Sequence, residues 1–451
     1  MKKNLFPYEY NSNEKIFILK NFLFRNLAYK KFKFLENNDK LTPTEINSFN
    51  WEKRKKLVHY VFENIAFYKE WYNKHGFHPD QLKAQNDWDL VPIITKEDIR
   101  DNYNKILNPN FDQKRHIVSS TGGTSGTPLK VLHDKNNYND VNGWRVMKWW
   151  NLSISPNIGF VFRLTRSSKI SILLNKLIWF PTKRVFLDAS SVTNEKIEKF
   201  ISQIIENKTL VLQGYTGALN EVANYVLKNR IKVEGIQAVW CTSSPLTKKI
   251  RNNLKKAFDA EVYDQYGSGE VYWIATECDH HEGLHVHSDI RHVDILDDED
   301  SNVKNGTLGD LAITDLDNYL FPIIKYKNGD LSLIKKENCS CGKPYPLLEK
   351  IYGRTTDLVK LPNGGFIAGD YFTTIFDDYP DQINAFQVHQ KRDFSIDINI
   401  KFKTENNTEM IESIKAIINK KTLNKVPLRV NVVDAIENNH AGKNRFVISD
   451  I

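Results

Sequence analysis

Apolar residues recur at three- and four-residue intervals through much of residues 1–110, which predicts a mainly helical segment. Residues 51–69 carry the pattern, with Leu57, Tyr60, Val61 and Ile65 at helical spacing. Pro92 followed by Thr95-Lys96-Glu97-Asp98 reads as a capped helix start, because a threonine hydroxyl can accept a free N–H of the first turn. From residue 117 to about residue 350 the texture alternates. Short β-rich runs at 159–164, 210–212, 239–242 and 261–263 are separated by helical ones at 194–206, 218–228 and 246–257. That alternation predicts a largely parallel sheet with crossover helices. Residues 309–314 and 321–326 read as a further pair of strands. Near residue 353 the character changes: a β-hairpin over Pro362-Asn363-Gly364-Gly365 within 358–367, a strand over 396–402, a helix over 409–419 and a strand over 428–433. The pattern therefore predicts an α/β fold: a large N-terminal domain of mixed, largely parallel sheets over 1–353, with 1–110 helical, and a small α+β domain over 354–451.

At 451 residues the chain exceeds what one core usually fills, in keeping with two domains. Apolar residues make up 41%, with nine Trp, nineteen Tyr and twenty-five Phe, so a large interior is expected and global disorder is not. Apolar runs such as 170–180 are interrupted, here by Asn175 and Lys176, well short of bilayer length, and no transmembrane segment is expected. Met1-Lys2-Lys3 is a basic start, but Asn, Glu and Tyr occupy what a secretory signal would keep apolar; a cytoplasmic protein is expected. The net charge is +8 and the cations are scattered. Residues 20–33 form the densest basic–aromatic stretch, with Arg25, Lys30, Lys31 and Lys33 among Phe22, Phe24, Tyr29 and Phe32. An ordinary surface helix accounts for it; an anionic membrane face is a second reading, and nucleic acid is not expected.

Residues 119–130 read Ser-Ser-Thr-Gly-Gly-Thr-Ser-Gly-Thr-Pro-Leu-Lys between apolar, strand-like flanks. Glycines let the backbone turn its N–H groups inward and the hydroxyls add donors, a composition suited to an anion. The spacing fits neither G-x-x-x-x-G-K-[ST] nor G-x-G-x-x-G. A flexible linker is the plain alternative, but linkers seldom run directly into ordered-looking sequence.

Four further motifs follow in order: Tyr263-Asp264-Gln265-Tyr266-Gly267-Ser268-Gly269-Glu270, Tyr326-Lys327-Asn328-Gly329-Asp330, Gly353-Arg354-Thr355-Thr356-Asp357 and Gly442-Lys443-Asn444-Arg445. With Asn64-Ile65-Ala66-Phe67-Tyr68 and residues 91–100 before them, the series resembles the AMP-forming adenylating enzymes over residues 51–450. The branch it is most similar to is the phenylacetate–coenzyme A ligase-like group, which includes members from capsular polysaccharide loci. The resemblance implies a large adenylating domain, a small mobile C-terminal lid, and use of ATP and Mg²⁺.

Joining a carboxylate to ATP brings two anions together, so donors must hold the triphosphate and neutralise charge in the transition state. The resemblance implies that Thr121, Gly122, Gly123, Thr124, Ser125 and Gly126 form the pyrophosphate loop. It implies that Tyr266 and Gly267 flank adenine, Glu270 holds Mg²⁺, Asp330 takes the ribose hydroxyls, Arg354 meets the nucleotide and Lys443 serves adenylation. Read in isolation, Glu270, Asp330, Arg354 and Lys443 would be a loop glutamate, a turn aspartate and two surface cations. Two departures stand out: Thr127 where many members carry Lys, and Thr356 at the hinge in place of an acidic residue.

The four cysteines are Cys241, Cys278, Cys339 and Cys341. A cytosolic setting argues against disulfides, and Cys339-Ser340-Cys341-Gly342 points to metal. Cys278, Cys339 and Cys341 with His285 would make a closed tetrahedral Zn²⁺ site, with His281 as the competing histidine. Some members of the branch look similar here. His280 and His287 are read as solvated and Cys241 as core.

The resulting expectation is an ATP-dependent ligase that forms an acyl-adenylate and passes the acyl group to an acceptor. An amine in surface polysaccharide, giving an amide on a uronic or amino acid, is the favoured acceptor; coenzyme A, giving a thioester, is the alternative. A catalytically silent nucleotide-binding scaffold is a third reading. Segments 144–150, 215–218, 242–245 and 264–267 are expected to line the acyl pocket, with Arg145 or Arg163 as a candidate for a substrate carboxylate or sugar hydroxyl. Peripheral membrane association and a homodimer both stay open.

Overall fold

The computed structural model describes residues 12–112, 116–120, 129–163, 177–354, 358–363, 366–376, 379, 382–403, 408–422, 425–436 and 447–451. The N-terminal part is helical: α1 (Ser12–Phe24), α2 (Asn26–Asn38), α3 (Pro43–Asn64), α4 (Ala66–Lys74), α5 (Lys96–Asp101) and α6 (Tyr103–Ile106). Thr42 accepts the Glu45 N–H and precedes a proline at the first helical position, which starts α3. Thr95 and Asp98 cap each other in the same reciprocal way at α5. The single periodic stretch read over 51–69 is two helices, because Ile65 is extended (φ −126°, ψ 114°). The turn lets Ile65, Phe67 and Tyr68 enter one core with Leu57 and Val61. That core also takes Leu311, Ile313, Phe321 and Ile323, so these helices are packed onto the sheets rather than standing apart.

The main sheet has eight strands, ordered β13-β9-β8-β7-β6-β5-β3-β4. Strands β3 (Ile158–Phe162), β4 (Arg184–Asp188), β5 (Val211–Tyr215), β6 (Ala238–Thr242) and β7 (Glu261–Tyr266) are parallel neighbours. The helices α8 (Asn194–Glu206), α9 (Thr216–Lys228) and α10 (Lys248–Phe258) cross between them, as the alternation predicted. Beyond β7 the direction reverses: β8 (Ala275–Glu277), β9 (Leu284–Val286) and β13 (Leu347–Leu348) are antiparallel. A hairpin of β1 (His116–Ser120) and β2 (Lys130–Asp134) and a helix α7 (Val141–Trp149) precede the sheet.

A second, antiparallel sheet is ordered β10-β11-β12-β14, with β10 (Arg291–Leu296), β11 (Gly309–Asp315), β12 (Tyr326–Ser332) and β14 (Gly353–Arg354). The run 321–326 is buried but is not the strand its composition suggested. Pro322 has no N–H for a ladder, and the carbonyls are taken elsewhere. The Pro322 oxygen accepts from the Tyr68 hydroxyl at 2.8 Å and the Lys325 oxygen from the Ile94 N–H at 3.2 Å. The strand starts only at Tyr326 and carries the Asn328-Gly329-Asp330 motif.

After residue 358 the chain forms the hairpin of β15 (Leu358–Lys360) and β16 (Phe366–Ala368), helix α11 (Gly369–Phe376), and a four-stranded sheet ordered β19-β18-β17-β20 with helix α12 (Thr408–Lys421). Its strands are β17 (Ile383–Gln390), β18 (Ile396–Phe402), β19 (Leu428–Val432) and β20 (Val447–Ser449). Strand β17 and helix α11 were not legible in the pattern. The core here, from Val359 to Val447, draws on no described residue before Val359. No helix among the described residues is long and apolar enough to cross a membrane.

Gly214 on β5 lies opposite Val161 on β3, and a Cβ there would stand 2.4 Å from the Val161 carbonyl oxygen. Gly214→Ala should therefore lower stability by about 1–3 kcal/mol. Urea unfolding checks this; an unchanged midpoint would contradict the packing of β3 on β5.

Candidate active site and metal centre

The C-terminal ends of β5, β6 and β7 stand side by side, with Tyr215 opposite Thr242 and Thr242 opposite Gln265. Open α/β sheets bind ligands at this end of their parallel strands. Thr216 donates to the carbonyls of Thr242 and Ser244 at 3.1 and 3.0 Å, and Thr242 donates to that of Gln265 at 2.9 Å. Three of the four segments expected to line an acyl pocket thus meet here. A Cβ on Gly217 would meet nothing within 4 Å.

The fourth segment does not join them. On α7, Trp144, Val146, Met147 and Trp149 are buried in packed cores. Arg145, expected to be open to a substrate, is fully buried and paired with Asp39 at 2.6 Å and Asp289 at 3.1 Å. A guanidinium so placed is occupied by its carboxylates. Arg163 is exposed just beyond β3. Asp264, on β7, was not singled out by sequence as titratable. Burial, then the neighbouring Glu277, pushes its carboxyl up to about 7.

At the end of β7, the Tyr266 hydroxyl donates to Asp330 Oδ2 at 2.6 Å. Asn328 Nδ2 donates to both of them, at 2.7 Å to the Tyr266 oxygen and 2.9 Å to Asp330 Oδ2. The Asp330 N–H returns to Asn328 Oδ1 at 3.1 Å. Gly329 between them has φ +81°, a left-handed conformation that glycine adopts freely, and the β11–β12 register shifts nearby. Burial, with the Asp330 charge beside it, raises the Tyr266 pKa well above 10, so the phenol keeps its proton. Asp330 is also the register partner of Arg354 across β12 and β14. Asn328 is the residue in this set that sequence reasoning had not assigned. Its two-residue spacing from Asp330 was the available signal.

Glu270 is almost fully buried, and its Oε1 accepts from the Tyr326 hydroxyl at 3.3 Å. The turn before it is closed by Ser268, whose Oγ accepts the Val271 N–H. A Cβ on Gly267 would lie 2.9 Å from Gln265 Nε2 and 3.2 Å from the Trp273 nitrogen, so the turn admits little else. His133 on β2 holds the same turn, with Nε2 3.0 Å from the Gly269 oxygen and its ring stacked on Tyr272 at 4.0 Å. Burial lowers the His133 pKa, which favours the neutral ring. In the hairpin, Ser120 pairs with Lys130, so the stems of the Gly/Ser/Thr loop are held beside the Glu270 turn. A lone strand histidine gave no signal of this. Thr121, Gly122, Gly123, Thr124, Ser125, Gly126, Thr127, Thr356 and Lys443 lie outside the described residues, as does the side chain of Arg354.

On the antiparallel edge, Cys278 follows β8, His285 is the centre of β9, and Cys339 and Cys341 occupy the loop before β13. Register sets Thr276 against His285 and His285 against Leu347. The ligand atoms of Cys278, His285, Cys339 and Cys341 all lie within 4.8 Å of one another. Cys278 Sγ is 3.6 Å from Cys339 Sγ, and Cys341 Sγ is 3.3 Å from His285 Nε2. A tetrahedral ion with metal–sulfur bonds of about 2.3 Å would give edges of roughly 3.5–3.8 Å. The donor set fits a closed four-ligand site of soft atoms. His285 Nδ1 lies 3.3 Å from the Tyr345 carbonyl, which sets the tautomer and leaves Nε2 for a metal. Burial pushes the His285 pKa down to about 4 and that of the Cys278 thiol up to about 11. The N–H groups of His280 and Lys343 donate to Cys278 and Cys341 sulfur, each at 3.4 Å.

The other histidines separate from this group. His281 stacks on Tyr263 at 5.1 Å, with its ring nitrogens 3.4 Å from Glu277 and Glu261. His280 is exposed beside Ser340. His287, expected to be solvated, is instead fully buried, bonded to Thr276 at 3.0 Å and stacked on Trp149. His285 at the centre of β9 meets the thiols, while His287, just beyond the strand's end, packs between Trp149 and Trp273. Cys241 is buried in strand β6 against α9 and α10, as expected of a core thiol.

Residues 359–450 match the CapK C-terminal domain family. Protein CapK of Staphylococcus aureus is 21% identical over 464 residues, covering 98% of this chain and 99% of that protein. Phenylacetate-coenzyme A ligase of Thermus thermophilus is 20% identical over 370 residues, covering 78% of this chain and 80% of that protein. A solved structure of 2-hydroxyisobutyryl-CoA ligase, in the postadenylation state with R3-HIB-AMP, superposes with a TM-score of 0.73 at 16% identity over 92% of both chains. The amide bond synthetase McbA of Marinactinospora thermotolerans gives 0.53 at 14% identity, over 73% of this chain and 67% of that one. The chain is thus a relative of the phenylacetate–coenzyme A ligases and CapK, and has the fold of adenylate-forming ligases.

Cys339→Ser and His285→Ala should each abolish stoichiometric metal binding and lower the melting temperature, while His281→Ala should leave the metal in place. Because ligation must displace thiol protons, metal uptake should release protons and weaken as pH falls below neutral. Metal analysis and a pH-indicator titration check both; full metal content in Cys339→Ser would remove the site. For Asp264, a carboxyl pKa raised from 3.8 to about 7 gives stability that is complete below pH 3.8 and is lost as pH rises through 7. Asp264→Asn should therefore become more stable relative to the parent as pH rises from 4 to 8, read from denaturation midpoints across that range.

Proposed function

We propose that this chain is an ATP-dependent, AMP-forming ligase that activates a carboxylic acid and transfers its acyl group to an amine in surface polysaccharide assembly. The observation that carries the activation step is the Tyr266–Asn328–Asp330 hydrogen-bonded set beside the buried Glu270, next to the stems of the Gly/Ser/Thr loop. Side chains from two sheets converge there, and an aspartate held on two sides by neutral donors is oriented before any ligand arrives.

In this reading Tyr266 and Gly267 flank adenine while Asp330 accepts from the ribose hydroxyls. Thr121 to Gly126 hold the departing pyrophosphate through backbone N–H and hydroxyl groups. Arg354 meets the nucleotide, and Lys443 meets the reacting carboxylate and α-phosphate. Mg²⁺ at Glu270 would neutralise phosphate charge. A carboxylate oxygen of the acid attacks the α-phosphorus, the bond to the bridging oxygen breaks, and pyrophosphate leaves. The acceptor nitrogen then attacks the acyl carbon, loses a proton, and expels AMP. Cys278, His285, Cys339 and Cys341 would hold a structural Zn²⁺, which would crosslink the edge strands rather than activate a water. A cytoplasmic location accords with use of ATP.

Support for the surface-polysaccharide setting is the likeness to CapK along 98% of the chain and to its C-terminal domain. The coenzyme A reading is favoured by a different observation, the likeness to phenylacetate-coenzyme A ligase and to a 2-hydroxyisobutyryl-CoA ligase.

The test is ATP–pyrophosphate exchange across uronic, amino and aryl acids, followed by product analysis with amines and with coenzyme A. Acid-dependent exchange should appear and fall to background in Lys443→Ala. Tyr266→Phe removes a donor to a charged carboxylate and should raise the KM for ATP roughly tenfold with a smaller change in kcat. Bound ATP without exchange for any acid would overturn the ligase reading in favour of a silent nucleotide-binding scaffold. Thioester formation with coenzyme A but no amide would overturn the acceptor.

A further inference from the structure

The bend between α1 and α2 exposes more apolar surface than a soluble helix pair needs. Leu23, Phe24 and Leu27 are 60%, 80% and 61% exposed, and Ile16, Leu19 and Phe22 continue the surface along α1. Positions 16, 19 and 23 are spaced three and four apart, one face of α1, and Leu27 follows on α2 past the bend. The chain turns at Arg25 (φ −134°, ψ 48°), so the surface ends in a protruding corner rather than a flat side. A second segment extends it. Lys20 Nζ donates to the carbonyls of Leu177, Ile178 and Phe180, and Trp179 stacks on Phe17 at 6.5 Å. Leu177 and Phe180 are themselves 62% and 56% exposed. Single exposed leucines are ordinary, but a contiguous set from two separate segments marks a contact surface.

Charge identifies the occupant. Residues 12–38 hold the cations Lys15, Lys20, Arg25, Lys30, Lys31 and Lys33 against two carboxylates, Glu14 and Glu36. Glu14 is buried against Lys148 and Ser153, and Glu36 lies with Lys33. Arg25 and Lys31 are spent inward on Asp140 and Asp317. Lys15 and Lys30 remain exposed around the apolar corner. A second copy pressing the same surface against this one would oppose like charges, whereas an anionic bilayer would oppose none. Apolar side chains entering the headgroup region with lysines at their rim are the pattern of an interfacial helix.

We propose that the exposed corner of α1 and α2, with Leu177, Ile178 and Phe180 beside it, is a docking surface for an anionic lipid bilayer. The surface lies outside the groups assigned to ligation, so the two proposals can fail separately. Co-sedimentation of the full chain with phosphatidylcholine vesicles, with and without phosphatidylglycerol, tests it. Binding should need the anionic lipid, weaken with salt, and fall roughly 10- to 100-fold in Phe24→Asp, the loss expected when one large apolar side chain no longer buries. Phe24→Asp should keep its melting temperature and any ATP–pyrophosphate exchange, since Phe24 is 80% exposed. Lys30→Glu should weaken binding to anionic vesicles only. Failure to bind, or equal binding by Phe24→Asp, would overturn the proposal. So would a stable dimer in light scattering that Phe24→Asp converts to monomer without vesicle binding, because the surface would then belong to a second copy.

Discussion

Much of the large domain is organised around one buried cation. The Arg145 guanidinium has no access to water, and its pKa is nonetheless held above its ordinary value because Asp289 and Asp39 surround it. Such a charge is tolerated only when paired, and removing a partner from a pair of this kind costs about 3–5 kcal/mol. Its partners come from distant parts of the chain. Asp39 follows α2, Asp289 lies between the two sheets, and Tyr345, bonded to both Arg145 and Asp39, sits just after the cysteine loop. Trp149 adds its indole N–H to Asp39 at 2.8 Å. The N-terminal helices, α7 and the sulfur–imidazole cluster therefore share one electrostatic constraint, and each limits how far the others can shift.

The cluster is joined to that constraint through the backbone. His285 is oriented by the Tyr345 carbonyl, while the Tyr345 hydroxyl is held by Asp39. The four ligand residues gather on a short antiparallel edge, where β8, β9 and β13 are only two or three residues long. A metal bound there would crosslink the loop before β13 to β8 and β9 and hold an edge that hydrogen bonds alone would hold poorly. The same reversal of strand direction after β7 produces the turn from Tyr266 to Glu270, so the sulfur–imidazole cluster and the candidate nucleotide groups share the β7–β8 pair.

What the sequence disclosed was local. Thr95 and Asp98 declare a helix start because a capping box is complete within four residues. The parallel strands and crossover helices were legible because each is long enough for its period to show. The failures have a common cause. Residues 321–326 looked like a strand because burial, not ladder pairing, selects their apolar side chains. Ile65 looked helical because a kink that keeps side chains in the core also keeps their spacing. Arg145 and His287 looked exposed because nothing local announces the partners that bury them.

The sequence by itself determined the alternation that makes an α/β sheet, the order of the motifs, and the identity of three thiols with a nearby histidine. Only the tertiary structure decided which histidine faces them, because the register of β9 between β8 and β13 and the Tyr345 carbonyl, not Cys-to-His spacing, aim the imidazole. It likewise decided that Tyr266, Asn328 and Asp330 act as one hydrogen-bonded set, since their contact crosses between two sheets. Local propensity operates over a few residues, whereas a buried charge or an oriented carboxylate is settled by whatever the whole chain packs beside it.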